Sequence, residues 1–207
     1  MQNISHAVMA QRTEPDDSPD DFPTPPWATR ALIEHVLDGH DFSNQSCLEP
    51  ACGAGHMAKV LKEIFGEVQA ADAYSYGYGP IRDYTTYPYE AHSLDWVITN
   101  PPFRLAEEFI LRSLRIARRG VAILARTVFL ESVGRYERIF LTNPPSKVAQ
   151  FVERVPMVRG RLDQKASTAT GYAWLVWEKP VIRAPELVWI PPCRRRLERL
   201  SDYPPSS

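Results

Sequence analysis

The stretch LDWVITNPPF, residues 94 to 103, brings three chemical groups together at the end of an apolar run. The run predicts a buried strand, and it ends in the amide of Asn100, two prolines and the ring of Phe103. Proline has no N–H and cannot continue a central strand, so Pro101 and Pro102 must turn the chain out of the sheet in a rigid direction. The four residues therefore hold an amide, a fixed carbonyl and an aromatic ring together at a strand end.

A second candidate site is the glycine loop EPACGAGHM, residues 49 to 57, which follows the predicted strand SCLEPA. Gly53 and Gly55 allow a tight turn and a close approach to a ligand, and the next helix directs its first amides at any anionic group. The loop is neither a GxxxxGK phosphate loop nor a complete GxGxxG. The following strand ends at Asp72, seventeen residues beyond Gly55, near where an acidic residue binds ribose hydroxyls. Taken alone, Asp72 is equally typical of a turn.

In the order EPACGAGHM, Asp72 and TNPPF, the chain resembles the class I S-adenosylmethionine-dependent methyltransferases that modify the N6 amine of adenine, especially compact phage and prophage enzymes. The upstream FPTPPWATRALIEHV resembles the N-terminal motif of that family, and the resemblance covers roughly residues 22 to 180. It implies S-adenosylmethionine as the cofactor. The residues it places at the cofactor are Pro23, Thr24, Pro25, Glu49, Ala51, Gly53, Gly55, Asp72 and Asp83.

The resemblance also implies individual roles at the cofactor. Thr24 lies toward its methionine end, and Glu49 suits the methionine ammonium; the alternative for Glu49 is a charge that faces solvent. Asp83 corresponds to the residue that accepts from the cofactor's adenine amine, but the length of that loop varies in the family.

The chemistry expected of NPPF follows from its substrate. An exocyclic adenine amine is a poor nucleophile because its lone pair is delocalised into the ring. Two acceptors aimed at its hydrogens favour the pyramidal form, and the Asn100 oxygen and the Pro101 carbonyl supply them. Phe103 offers a face on which an extruded base stacks. The expected catalytic residues are Asn100, Pro101, Pro102 and Phe103. The alternative is a rigid loop with a core phenylalanine.

A look-alike motif, LTNPPSK at residues 141 to 147, serves as an internal control. It follows the helical segment GRYERIF instead of a strand, and Ser146 replaces the aromatic ring. We therefore predict that Asn143, Pro144 and Pro145 form a loop that ends a helix.

The formal net charge of −1 conceals a difference between the two halves of the chain. Residues 1–103 contain 5 Lys and Arg against 15 Asp and Glu, whereas residues 104–207 contain 19 against 10. A basic half suggests a surface that faces a polyanion, and the resemblance makes DNA the expected partner. The alternative is that arginines coat ordinary helices. Basic candidates for substrate binding, in loops 126–135 and 156–171, are Arg126, Arg159, Arg161 and Lys165.

Strand and helix patterns alternate along the chain. They predict the α/β class, as a single doubly wound Rossmann-like methyltransferase domain with a seven-stranded, mainly parallel sheet. Predicted helices cover 27–39, 56–66 and 104–120, and predicted strands include 46–51, 67–74, 94–100 and 121–129. The domain is expected to span 22–182, after a disordered segment 1–21 and before a basic C-terminal tail 183–207.

Composition limits the other classes of function. The three cysteines form no CxxC pair and no histidine cluster has metal-ligand spacing, which favours a reducing compartment and no metal. No apolar run approaches the length of a membrane span, and the first residues lack the pattern of a signal peptide. We expect a soluble cytoplasmic protein of a bacterial or phage-infected cell.

One departure from the family concerns target selection. Many DNA adenine methyltransferases contain a separate recognition domain, but few residues follow TGYAWLVWEK here. Selection is therefore expected from short loops, from a second subunit such as that of a homodimer, or hardly at all. Alternative substrates for the same chemistry are RNA adenine and a protein glutamine amide. A binding module without turnover is disfavoured because NPPF is intact.

Overall fold

A single sheet organises the chain, of which the computed structural model describes residues 20–180 and 184–203. Its strands within those residues are β1 (Ser46–Glu49), β2 (Glu67–Ala70), β3 (Leu94–Thr99), β4 (Ala117–Arg126), β5 (Lys147–Phe151), β6 (Tyr172–Glu178) and β7 (Glu186–Ile190). They lie in the order β2-β1-β3-β4-β6-β5-β7. Only β6 runs antiparallel to its neighbours, which confirms the predicted seven-stranded, mainly parallel sheet.

The helices flank both faces of this sheet. They are α1 (Pro26–His35), α2 (His56–Leu61), α3 (Ala106–Ile116), α4 (Val133–Arg135) and α5 (Arg194–Leu197). Short 3₁₀ turns cover Phe103–Leu105, Thr127–Leu130 and Leu200–Asp202, and a π-helical turn covers Tyr136–Phe140. Among the helices in the described ranges, none is long and apolar enough to cross a membrane.

The core has two halves, one on each face of the sheet. Trp96 and Ile98 of β3 pack with α1 and α2, whereas Val97 packs with α3. This alternation is the period-2 pattern of a strand that is buried on both faces. Trp174 and Trp177 of β6 likewise lie in opposite halves, as their spacing predicts.

The predicted helix 104–120 is too long at its C-terminal end. Helix α3 ends at Ile116, and ARRG begins β4 instead, where Gly120 lies directly against the indole of Trp96. A Cβ at position 120 would lie 2.3 Å from that ring, so the glycine belongs to strand packing and not to a helix stop. Arg118 and Arg119 extend outward to the Asp95 carboxylate.

The segment predicted as a basic tail contributes to the sheet. Glu186–Ile190 pairs in parallel with β5 and buries Ile190, although Leu187 and Trp189 remain exposed. The basic run RRRL that follows forms α5 and packs near α1. The domain therefore extends beyond the predicted boundary at 182. The predicted disordered segment 1–21 lies outside the described residues except for Asp20 and Asp21.

An ion pair fastens the C-terminal segment to α1. The Arg30 guanidinium donates to both carboxylate oxygens of Asp202, at 2.8 and 2.9 Å, and to the Leu197 carbonyl at 3.0 Å. The side chains of Arg30 and Asp202 are only 10% and 6% exposed. The Glu63 carboxylate lies farther from the same guanidinium, at 3.5 Å, so removal of Asp202 would leave the buried Arg30 charge with weaker compensation.

We predict that Asp202→Ala lowers the free energy of unfolding by roughly 2 kcal/mol, because the buried Arg30 would lose its two shortest carboxylate contacts and keep only the Leu197 carbonyl and the Glu63 carboxylate at 3.5 Å. Urea unfolding measures the loss. Arg196→Ala, which breaks the exposed pair with Glu34, is the matched control and is expected to change stability little. Equal losses of unfolding free energy for the two substitutions would show that the buried Arg30–Asp202 pair contributes no more to stability than an exposed pair.

Candidate active site

The carboxyl ends of β1, β3 and β4 meet at one edge of the sheet and open into a cavity of about 1640 Å³. This is the edge at which doubly wound folds bind ligands. Predicted site residues in its wall are Pro23, Thr24, Glu49, Ala51, Gly53, Asp72, Asp83, Asn100, Pro102, Phe103, Arg126, Arg159 and Arg161. The predicted residues outside its lining are Pro25, Gly55, Pro101 and Lys165.

The glycine loop opens toward the cavity at Gly53. This residue has φ +50°, and a Cβ there would meet nothing closer than an Asp21 oxygen at 3.7 Å. Its N–H donates to the Asp72 carboxylate at 2.9 Å, and the Tyr74 N–H donates to the other oxygen at 3.0 Å. A carboxylate has about four acceptor sites, so Asp72 keeps capacity for the hydroxyls of a ligand.

Gly55 serves a different purpose from the one predicted. It has φ +81° at the start of α2, and a Cβ would lie 2.4 Å from the Tyr78 ring. The glycine is therefore required for packing and not for the approach of a ligand. Pro25 also lies off the cavity, where its carbonyl accepts from the Ala28 N–H at the start of α1.

Glu49 places a carboxyl group in the cavity wall with little solvent around it. The residue is 2% exposed, and its Oε2 contacts no hydrogen-bond donor within the described chain. Burial raises the pKa of this carboxyl well above its usual range, with a further contribution from the charge of Asp72. The hydroxyl of Thr24 is similarly buried and has no hydrogen-bond partner among the residues that the structure describes. Both atoms fit a polar ligand that brings a cation and further hydrogen-bonding groups to this wall.

Asn100 follows β3 with its amide held in one orientation. Its Nδ2 donates to the Phe22 carbonyl at 2.9 Å and contacts the Met157 sulfur at 3.8 Å. The Oδ1 atom is buried and accepts from no group in residues 20–180 and 184–203. An acceptor thus remains available beside the cavity, at the position where the sequence predicts one.

Phe103 does not present an open face in this structure. The Arg126 guanidinium carbon lies 3.6 Å from the centre of its ring, and the Phe22 ring lies 5.4 Å away. Arg126 therefore occupies the stacking position, and a planar ligand must displace it or lie beyond it. The Phe103 N–H donates to the Asp20 carboxylate at 2.6 Å.

Side chains of both charges line the cavity. Its acidic residues include Glu49, Asp72 and Asp83, and also Asp20, Asp21 and Glu108 from other parts of the chain. Its arginines are Arg104, Arg126, Arg154, Arg159 and Arg161. The sequence did not identify Arg104 and Arg154 as site residues, because neither belongs to a recognised motif.

The look-alike Asn143 lies elsewhere. It follows the π-helical turn, donates its backbone N–H to Ile139, and accepts from the Trp177 indole through its carbonyl. Its side chain is exposed and does not line the cavity. The predicted distinction between the two NPP segments is therefore present in the structure.

Comparison with known proteins gives a fold but no family. No family model matches the chain, and no curated protein matches it. A provisionally assigned class I S-adenosylmethionine-dependent methyltransferase from Listeria monocytogenes superposes with a TM-score of 0.59 and 14% identity, over 84% of this chain and 67% of that one. The chain has the Rossmann-like methyltransferase fold.

Two further solved structures share this methyltransferase fold. The modification subunit of a provisionally assigned type I restriction enzyme from Vibrio vulnificus has a TM-score of 0.57 and 16% identity, over 82% of this chain and 47% of that one. A provisionally assigned RNA methyltransferase from Pyrococcus horikoshii has a TM-score of 0.55 and 16% identity, over 76% of this chain and 86% of that one. The chain spans about half the length of the modification subunit.

The buried carboxyl of Glu49 predicts a specific pH dependence of stability. Its pKa is higher in the folded than in the unfolded protein, so above about pH 4.5 the folded state retains a proton that the unfolded state has lost. Stability should therefore fall as pH rises through that window, by at most about 1.4 kcal/mol per pH unit from this group. Glu49→Gln removes the titration, and its stability relative to wild type should increase from pH 4.5 upward.

Urea unfolding at several pH values between 4.5 and 8 measures this difference. The exposed Glu67→Gln is the matched control, and its profile should run parallel to that of the wild type. A constant offset between Glu49→Gln and wild type at every pH would contradict the raised pKa.

Proposed function

We propose that this protein transfers a methyl group from S-adenosylmethionine to the N6 amine of adenine in DNA, the substrate that its sequence motifs favour. The observation that supports it most is the Asn100 amide, whose nitrogen is tied to Phe22 while its buried oxygen has no donor in the described chain. That oxygen shares one cavity with Glu49, Gly53 and Asp72.

The cofactor would lie beside the glycine loop, between Glu49 and Asp72. When bound, it supplies a methyl group on a positively charged sulfur, which is open to attack by a nitrogen lone pair. Gly53 leaves room for it, Asp72 has free acceptor sites for its ribose hydroxyls, and the Glu49 carboxylate suits its ammonium group. The arrival of that cation would favour the ionised form of Glu49, so the raised pKa of this carboxyl should fall when the cofactor binds.

The target amine would enter beside Asn100. One amine hydrogen would donate to the Asn100 Oδ1, and the sequence motif assigns the second to the Pro101 carbonyl, although Pro101 is not part of the cavity lining in this structure. The two bonds would leave the nitrogen lone pair directed at the methyl group. Methyl transfer would form the new N–C bond as the bond from the methyl group to the cofactor's sulfur breaks. The positively charged nitrogen then loses a proton to solvent, so a strong general base is not required. Phe103 would stack on the base once Arg126 leaves its face.

Two arginines of the cavity wall, Arg159 and Arg161, support a nucleic acid as the substrate, and we call this pair the arginine rim. Arg159 and Arg161 lie on the loop that passes the cavity mouth, and Arg161 is 67% exposed at its side chain. Two of the proteins with the same fold are described as a restriction modification subunit and an RNA methyltransferase. RNA adenine is therefore the second candidate substrate, and a glutamine amide, which offers the same two hydrogens, is the third.

We predict that Asn100→Ala lowers single-turnover methylation of an adenine-containing duplex by about 10²–10³, because a placed acceptor is lost from the transition state. Cofactor affinity, measured by calorimetry, should hardly change. Asn143→Ala in the look-alike segment is the matched control and should alter neither quantity. Equal losses for the two variants, or none for Asn100→Ala, would mean that the NPPF motif has a structural role and no catalytic role.

A second prediction concerns the arginine rim. Affinity for nucleic acid should fall steeply with salt, and Arg159→Ala combined with Arg161→Ala should reduce the slope of log affinity against log salt by roughly 1.5. Arg118→Ala combined with Arg119→Ala removes the same charge at the opposite end of the sheet, beside Asp95, and should leave the slope unchanged. Fluorescence anisotropy with duplex DNA and with RNA of the same sequence gives both slopes and compares the two substrates. A slope that does not respond to the rim variant would assign these arginines to an ordinary solvated surface.

A further inference from the structure

We propose that Asp20 is a positioning residue for the NPPF motif, and this proposal rests on the proposed function. Asp20 lies in the acidic lead-in to the domain, which the sequence predicts to be disordered. In the structure it lines the cavity, and its carboxylate accepts the Phe103 N–H at 2.6 Å.

The need for an external acceptor arises from the two prolines. Pro101 and Pro102 have no N–H, so the first backbone donor after Asn100 is the amide of Phe103. That amide opens the 3₁₀ turn that leads into α3, and Pro102 provides no side-chain cap. The first amides of a helix have no partner within the helix, and a negative charge there is favourable. Asp20 thus supplies from a distant part of the sequence the cap that Pro102 cannot provide.

The segment Asp20–Phe22 holds the motif at both of its ends. Asp20 binds the amide of Phe103, and the Phe22 carbonyl binds the amide nitrogen of Asn100 at 2.9 Å. Between them the Asp21 carbonyl accepts the Gly160 N–H at 2.9 Å, which ties the segment to the loop bearing Arg159. Phe22 itself is 7% exposed and packs beside the Phe103 ring.

These contacts determine the distance between the Asn100 Oδ1, which is the proposed acceptor, and the Phe103 ring. Asn100 is oriented by one end of the segment, and the backbone that presents Phe103 is oriented by the other. Small displacements of groups that contact the reacting atoms are costly, because transition-state hydrogen bonds depend on geometry. Loss of the Asp20 carboxylate should therefore slow methyl transfer without emptying either binding site.

The test compares Asp20→Ala and Asp20→Asn in the full chain. Asp20→Ala should lower the single-turnover methylation rate by about tenfold or more, with cofactor affinity and KM for the nucleic acid unchanged. Asp20→Asn keeps an oxygen acceptor and should recover much of the rate. Asp41→Ala removes a comparable carboxylate, which accepts the Ser43 N–H at 2.9 Å away from the cavity, and should leave the rate unchanged.

Amide hydrogen exchange by NMR gives a readout that does not depend on activity. The Phe103 amide should exchange faster in Asp20→Ala than in wild type and at an intermediate rate in Asp20→Asn. If the wild type methylates no adenine substrate, the proposed function fails while this exchange still decides whether Asp20 holds Phe103. An unchanged exchange rate overturns the positioning role. A normal methylation rate with tighter nucleic-acid binding in Asp20→Ala also overturns it, because Asp20 would then obstruct the substrate.

Discussion

The pairing of β3 between β1 and β4 is the interaction on which the site depends. Since all three strands run in the same direction, their carboxyl ends meet at one edge, where β1 leads into Glu49 and the glycine loop, and β3 into Asn100. All six residues of β3 are buried, so its register is determined by packing on both faces. A shift of one residue would exchange Trp96 and Val97 between the two halves of the core and would carry Asn100 away from the cavity.

Strong local patterns predicted much of this arrangement. The apolar run of β3, the glycines before α2 and the two prolines after Asn100 favoured a buried strand, a tight turn and a rigid exit from the sheet. The alternation of strands with helices predicted a mainly parallel sheet. Weaker patterns failed where tertiary contacts outweighed them. ARRG looks helical in sequence, but Gly120 is required beside Trp96, and Glu186–Ile190 is hidden in a basic segment although β5 offers it a partner.

The same contrast applies to the site: local sequence patterns predicted some of its residues, whereas contacts between segments far apart in sequence were missed. Their positions near strand ends allowed the sequence to place Asn100, Gly53 and Asp72 beside one cavity. The contacts of Asp20 and Arg154 were not predictable, since they depend on how loops far apart in sequence meet over the cavity. Gly55 illustrates a third case: the residue type was recognised correctly, but it accommodates the Tyr78 ring and not a ligand.

The contact between Arg126 and Phe103 affects how a base could reach the proposed site. A guanidinium on an aromatic face is worth about 0.5–2 kcal/mol, and a base stacked in its place about 1–3 kcal/mol. The exchange alone is therefore nearly balanced, so entry of a base is favourable mainly if Arg126 gains a new partner when it leaves the ring. A phosphate of the same nucleic acid is such a partner, whereas a free base has none to offer. Under the proposed function, the arrangement thus favours adenine within a strand over adenine alone.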